Sequence, residues 1–437
     1  MKNYLSISNC ECGKNHDIET PNVMIGKGVL ERLPEIINQF GAKKVFLLAD
    51  VNTFAVAGER VCKILDGYSV AYEKYVYQDE HLEPDEKAVG SAVMHFDTTC
   101  DLVIGIGSGV INDIGKILCR IADRKYIIIA TAPSMDGYAS NSSSMAMDGL
   151  KVSLPSHCAD VIVGDTDILK NAPFRMLKAG LGDMLAKYVS IAEWQIGHLV
   201  TGEYYCEAVA ELVRKALKKC VDNAQGLLLR DEKAIEAVFE GLVISGLAMS
   251  YAGVSRPASG VEHYFSHVWD MRGLEFGTQV DLHGIQCALG TLLTAKLYDA
   301  LKKMTPDENI AKAYVDSFSY EEWADVLRKF LGRSGETMIA QEKKEQKYNK
   351  SAHLARFALI MKNWDKMLDI LNKELPSCDE ITRILNIIGI STDVQDLGVD
   401  KETLRLTFLA TKDIRNKYVL SHLAWDMGVL DELSEQL

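Results

Sequence analysis

The sequence has no excess of positive charge. Lysine and arginine number 48 against 61 acidic residues, a net charge of −13. A face that neutralises nucleic-acid phosphates needs the opposite balance, so nucleic acid is not the expected partner, although a local basic pocket for a small phosphate is allowed. An apolar run of membrane length is also missing. The longest uncharged stretch, Gly241–Ser255, is rich in glycine, alanine and serine, falls short of a span and reads as a buried helix. The start, MKNYLSISNCECGKNHDIE, lacks the apolar centre of a signal peptide. Neither a repeat nor a low-complexity linker is found. The ten cysteines are scattered without a framework spacing, which argues against disulfides and for a reducing cytoplasm. Cys10, Cys12 and His16 suggest a zinc knuckle, but C-x-C with one histidine lacks a second ligand pair, and a hairpin is the better reading.

What is there is ordinary globular composition, 48% apolar and 25% charged over 437 residues. That length is long for one core and favours two domains. From Gly28 to residue 165 short apolar runs alternate with helical spacing. KKVFLLAD (Lys43–Asp50), DLVIG (Asp101–Gly105) and YIIIA (Tyr126–Ala130) read as buried parallel strands. Strands alternating with helices predict an open, mainly parallel sheet, whose ligands bind beyond the carboxyl ends of the strands. From Pro173 the patterns are helical. The expected domains are therefore 1–170, α/β, and 171–437, all-helical. The charged stretch Glu336–Ile370 reads as a solvated helical hairpin without chemistry.

Two loops fall at expected strand ends. GIGSGVINDIGK, from Gly105 to Lys116, offers close backbone approach and a helix N-terminus to a phosphate. It departs from G-x-G-x-x-G because Val110 takes the third glycine slot, and a tight turn without ligand is the plain alternative. TAPSMDGYASNSSSM, Thr131–Met145, is crowded with hydroxyls around Asp136; it is a ligand loop or a plain surface loop. Asp50 is either a ribose acceptor or a helix cap. Asp183, after Ala-Gly-Leu-Gly, reads as the start of a helix, either as a cap or at a site where backbone approaches closely. His263 and His267 share a helix face, and His283 follows just before Gly284. Three histidines in so short a window suggest metal ligation, completed by a carboxylate from elsewhere.

The segments GSGVINDIGK, TAPSMDGYAS, GLGDMLAKY, SRPASGVEHYFSHVW, LHG and KDIRNKYVLSHLAWDMG resemble the sn-glycerol-1-phosphate dehydrogenases. These are a branch of the iron-containing alcohol dehydrogenase and glycerol dehydrogenase superfamily. The resemblance runs from about Ile25 to Gly428. It implies a nucleotide-binding α/β domain, an all-helical domain and a site in the cleft. The implied reaction is reversible reduction of dihydroxyacetone phosphate to sn-glycerol 1-phosphate by NADH or NADPH. Carried over by motif, Asp183, His263 and His283 bind a divalent metal, zinc or nickel, with iron in some relatives. Asp136, Asp183 and His267 touch substrate, and Asp136 and His267 are the catalytic candidates. Gly107, Ser108, Gly109, Val110 and Ile111 cradle the pyrophosphate. Thr131, Ala132, Pro133, Ser134 and Ser140 contact the nucleotide, with Asp50 on the ribose. Arg256 is a guess for the substrate phosphate. The expected protein is cytoplasmic, binds no membrane and forms a homo-oligomer. Alternatives are a polyol dehydrogenase on the same scaffold, a lyase of the 3-dehydroquinate synthase type, or a binding protein without activity.

Overall fold

The computed structural model describes residues 9–16 and 20–437. Eight strands are found among them: β1 (Asn22–Gly26), β2 (Lys44–Asp50), β3 (Ala71–Tyr77), β4 (Leu102–Gly107), β5 (Lys125–Ala130), β6 (Ser142–Met147), β7 (Leu150–Pro155) and β8 (Val161–Asp165). Six form one sheet in the order β1-β8-β5-β4-β2-β3, and every pairing is parallel. The central strands are nearly continuous apolar runs because both faces are covered. β4 is buried along its whole length, whereas the edge strands β1 and β3 are half-exposed. The chain leaves β2 outward to β3 and returns to β4 on the other side, so the strand order reverses between β2 and β4. In open α/β sheets the ligand crevice lies at such a switch point.

Two strand pairings differ from the sequence reading. β1 is an added edge strand, and Ser142–Pro155 is an antiparallel hairpin rather than loop. The hairpin turns through Asp148 and Gly149, both at positive φ (53° and 74°), the backbone of a two-residue turn.

The chain divides into two compact units, Met1–Met184 with Glu211–Val254, and Leu185–Ala210 with Ser255–Leu437. The first holds the sheet over a core that includes Leu47, Ile104, Ile127 and Val163. It also holds helices α1 (Gly109–Ala122), α2 (Phe174–Leu185, to Met184) and α4 (Glu232–Ala252). α4 belongs with the strands because Phe239 packs its ring against Gly164 of β8, where a Cβ would lie 2.2 Å from the ring. By length and composition α4 could cross a membrane, but 78% of its apolar window is buried in the fold. The second unit is helical among its described residues, with α3 (Lys187–Thr201), α5 (Val261–Phe276) and α6 (His283–Leu301) around a core that includes Phe265, Trp269, Phe408 and Trp425. In the charged stretch, α7 (Arg333–Glu345) and α8 (Lys350–Glu374) bury Met338, Phe357 and Met367 in this core and leave their charged faces outside.

Candidate functional site

In the first unit the candidate residues gather at the carboxyl ends of β2, β4 and β5. Asp50 ends β2 and caps the next turn, its Oδ1 accepting from Thr53 N at 2.8 Å. Gly107 ends β4, Ser108 is the N-cap of α1, and Gly109, Val110 and Ile111 form the first helical turn. No side chain caps this helix, which leaves its first N–H groups and positive dipole end available to an anion. Gly107 is glycine because a Cβ would meet Ile111 at 2.5 Å. Gly105 is glycine for packing: a Cβ there would lie 2.2 Å from the Tyr126 hydroxyl, and that ring also abuts Gly115.

Thr131 follows β5 and donates its N–H to Gly107 O at 3.1 Å, joining the two loops. Ala132 O accepts from the buried Tyr138 hydroxyl at 2.7 Å, and Ser134, next to Pro133 and two residues before Asp136, is buried. Asp136 opens a short 3-10 turn, Asp136–Ala139. Its Oδ2 accepts from Ser245 Oγ of α4 at 2.8 Å, and its N–H donates to Asp183 Oδ2 at 2.9 Å. Beneath the turn, wholly buried Lys116 donates to Gly137 O, Ser140 Oγ and Ser142 O, and pairs with Asp113 at 3.0 Å. The Ser140 hydroxyl is thus part of the network supporting the loop, donating to Ser142 O at 2.8 Å.

Asp183 is in the last turn of α2, not at a helix start. Gly180 stays helical despite its low propensity because α2 presses on the loop: a Cβ at Gly180 would lie 1.9 Å from Pro133 O. Close backbone approach is therefore what this glycine permits, and it brings Asp183 to Asp136. We expect Gly180→Ala to cost about 1–3 kcal/mol through overpacking. The loss is read as a lower midpoint of the circular-dichroism melt. An unchanged melt would contradict the close approach.

In the second unit α5 and α6 cross closely at Gly290, where a Cβ would lie 2.4 Å from Glu262 O. That approach brings the rings of His263 and His283 to 5.0 Å, with His267 at 6.0 Å from His283 and 6.5 Å from His263. His263 is buried, and its Nδ1 lies 2.8 Å from Glu262 Oε1. Donation to this carboxylate leaves Nε2 with its lone pair, the arrangement typical of a metal-binding imidazole. His283 opens α6, its Nδ1 3.0 Å from Ser266 Oγ, which Gln286 Nε2 holds at 3.1 Å. Donor atoms of His263, His283 and Cys287 lie within 4.8 Å of one another. Burial works to raise the Cys287 thiol, but the neighbouring His263 and His283 outweigh it and hold its pKa below the usual thiol value. The donor set fits a borderline divalent cation.

Arg256 does not stand ready for a phosphate. It is buried and locked on Glu203, with Nε to Oε2 at 2.7 Å and Nη2 to Oε1, and Nη2 also donates to Tyr418 O. Lys417 donates to Ser259 Oγ at 2.6 Å and to Ser259 O at 3.0 Å. Burial, followed by repulsion from Arg256 and Arg415, holds its pKa well below the usual lysine value.

Sequence reasoning missed Glu262, Ser245, Lys116 and Glu193. Glu193 of α3 is buried and accepts from Val261 N, Leu420 N and the Tyr298 hydroxyl. Burial first, and the Glu262 carboxylate second, push its pKa up to about 8. A Cβ at Gly260 would lie 2.5 Å from Glu193 Oε2 and 2.7 Å from Glu262 Oε2, so the two carboxyls face one point. Folded Glu193 keeps its proton to higher pH than unfolded Glu193. Stability therefore falls as pH rises from the ordinary carboxylate range toward 8. Glu262→Gln removes the like charge, and its amide still accepts from Gly260 N and His263 through oxygen. Urea midpoints read by tryptophan fluorescence at pH 5 and pH 8 should decline less in Glu262→Gln than in wild type; parallel declines would refute the coupling.

An uncapped helix N-terminus at the switch point of a parallel sheet is what a dinucleotide pyrophosphate needs, and the histidine cluster offers donors to a metal. The family described as iron-containing alcohol dehydrogenase matches residues 24–173. Glycerol dehydrogenase from Schizosaccharomyces pombe shares the fold at 17% identity, covering 97% of this chain and 92% of its own, with a TM-score of 0.62. The glycerol-1-phosphate dehydrogenase [NAD(P)+] of Halalkalibacterium halodurans is 34% identical over 316 residues, 71% of this chain and 79% of its own. That of Methanosarcina acetivorans is 33% identical over 297 residues, 66% and 82%. The chain belongs to the glycerol-1-phosphate dehydrogenase family.

Proposed function

We propose that the protein is an NAD(P)H-dependent, metal-dependent sn-glycerol-1-phosphate dehydrogenase, reducing dihydroxyacetone phosphate reversibly. The observation that carries the metal centre is the His263–His283 pair, rings 5.0 Å apart, with His263 backed by Glu262. In this reading Asp183, His263 and His283 hold one zinc or nickel ion, or iron. When bound, the cation polarises the ketone and the nicotinamide supplies hydride. Gly107, Ser108, Gly109, Val110 and Ile111 bind the pyrophosphate through free N–H groups. Thr131, Ala132, Pro133 and Ser134 line the nucleotide, Ser140 supports that loop, and Asp50 accepts from the ribose. Asp136, held by Ser245, orients substrate hydroxyls. His267 delivers the proton that the reduced oxygen needs, directly or through water. Lys417, whose neighbours Arg256 and Arg415 repel its charge, and Arg415 take the substrate phosphate. We place the enzyme in the cytoplasm as a homo-oligomer, with a small-molecule substrate and neither nucleic acid nor membrane as partner. None of the ten cysteines is joined in a disulfide, in agreement with a reducing compartment.

The test is NADH and NADPH oxidation with dihydroxyacetone phosphate against dihydroxyacetone, each with and without chelator. Turnover of the phosphate ester that chelator abolishes is expected. A preference for unphosphorylated dihydroxyacetone would move the protein to the polyol dehydrogenases.

A further inference from the structure

Away from the catalytic residues, Cys10, Cys12 and His16 converge in the first unit, their donor atoms within 4.8 Å of one another. No strand forms at residues 9–16; a turn closes instead, with Gly13 N donating to Cys10 O at 2.9 Å and Gly13 at φ 82°. The turn places Cys12 Sγ 3.2 Å from His16 Nε2. Sulfur and nitrogen on one tetrahedral zinc stand about 3.5 Å apart, from bond lengths of about 2.3 and 2.0 Å. The far side of the ring supplies an independent sign. His16 is fully buried, and its Nδ1 lies 3.1 Å from Tyr251 O. A carbonyl there fixes the proton on Nδ1 and turns the Nε2 lone pair toward the two sulfurs, as behind metal-bound histidines.

We propose that Cys10, Cys12 and His16 bind a structural zinc ion, separate from the catalytic metal, with one further donor completing the tetrahedron. Binding deprotonates both thiols and holds them as thiolates. The ion locks a segment that caps α4: Lys14 Nζ donates to Ala252 O at 2.7 Å beside the His16–Tyr251 contact, meeting carbonyls that the helix end leaves unpaired. α4 carries Ser245, which holds Asp136, so the site braces the catalytic loop from behind.

The proposal stands whether or not the catalytic reading does, and the test separates them. Metal-stripped protein is reloaded with cobalt(II) and its near-ultraviolet absorption recorded. Thiolate-to-cobalt charge transfer is expected in wild type and in His283→Ala. It should be absent from the Cys10→Ser/Cys12→Ser variant, which should also carry one fewer zinc per chain as purified. Cys287→Ser, which removes the thiol near His263 and His283, should keep the band. A variant-free measurement covers the case in which the double serine protein fails to fold. Blocking wild-type thiols with a mercurial should release one zinc to a chromogenic chelator. Loss of the band in Cys287→Ser alone, unchanged zinc in the double variant, or no zinc released from wild type would overturn the site.

Discussion

His283→Ala is expected to lose its catalytic metal and about a thousandfold in turnover while still binding NADH. The loss corresponds to about 4 kcal/mol of stabilisation of the developing alkoxide. The separation of effects follows from placement. The uncapped turn of α1 and the end of β2 lie in the first unit, whereas His283 opens α6 in the second. The substitution should barely affect folding, because His283 is half-buried and Ser266 keeps its bond from Gln286. NADH fluorescence titration, metal analysis and turnover check the three parts. Intact metal with full activity would remove His283 from the ligand set.

Lys116→Ala is expected to be the most destabilising single change in the first unit, by about 3–5 kcal/mol. Lys116 is wholly buried, and Asp113, whose carboxyl burial already pushes up, depends on it for charge. Removing the ammonium strands that carboxylate and withdraws donors from Gly137 O and Ser142 O. Lys116→Met combined with Asp113→Asn should recover part of the loss, since the stranded charge is then absent. Circular-dichroism melting is the measurement. Because the same amine supports the Asp136 turn, turnover should fall even where the variant is folded.

Much of the parallel sheet was legible because its central strands are apolar on both faces; Lys44–Asp50 and Lys125–Ala130 need no neighbour to be recognised. β1 was not, because only Met24 of its five residues is buried. The hairpin β6–β7 hid in serines and half-exposed side chains, although Asp148–Gly149 is a turn signal by composition. Asp183 was misplaced for a tertiary reason. Glycine spacing alone suggests a break, and only the Pro133 carbonyl against Gly180 explains why the helix continues. Helical period put His263 and His267 on one face, but the approach of His283 depends on Gly290 admitting the Glu262 backbone, a contact between helices. Glu262 could have been suspected from its place beside His263, whereas Lys116, Ser245 and Glu193 act through contacts farther along the chain.

The central claim is that one carboxylate and two imidazoles share a cation. Anomalous diffraction at the metal absorption edge, on crystals of the protein loaded with zinc or nickel, tests it most directly. A peak bonded to the Asp183 carboxylate and to ring nitrogens of His263 and His283 is the predicted result. A fully loaded, active protein whose peaks all lie elsewhere would contradict it.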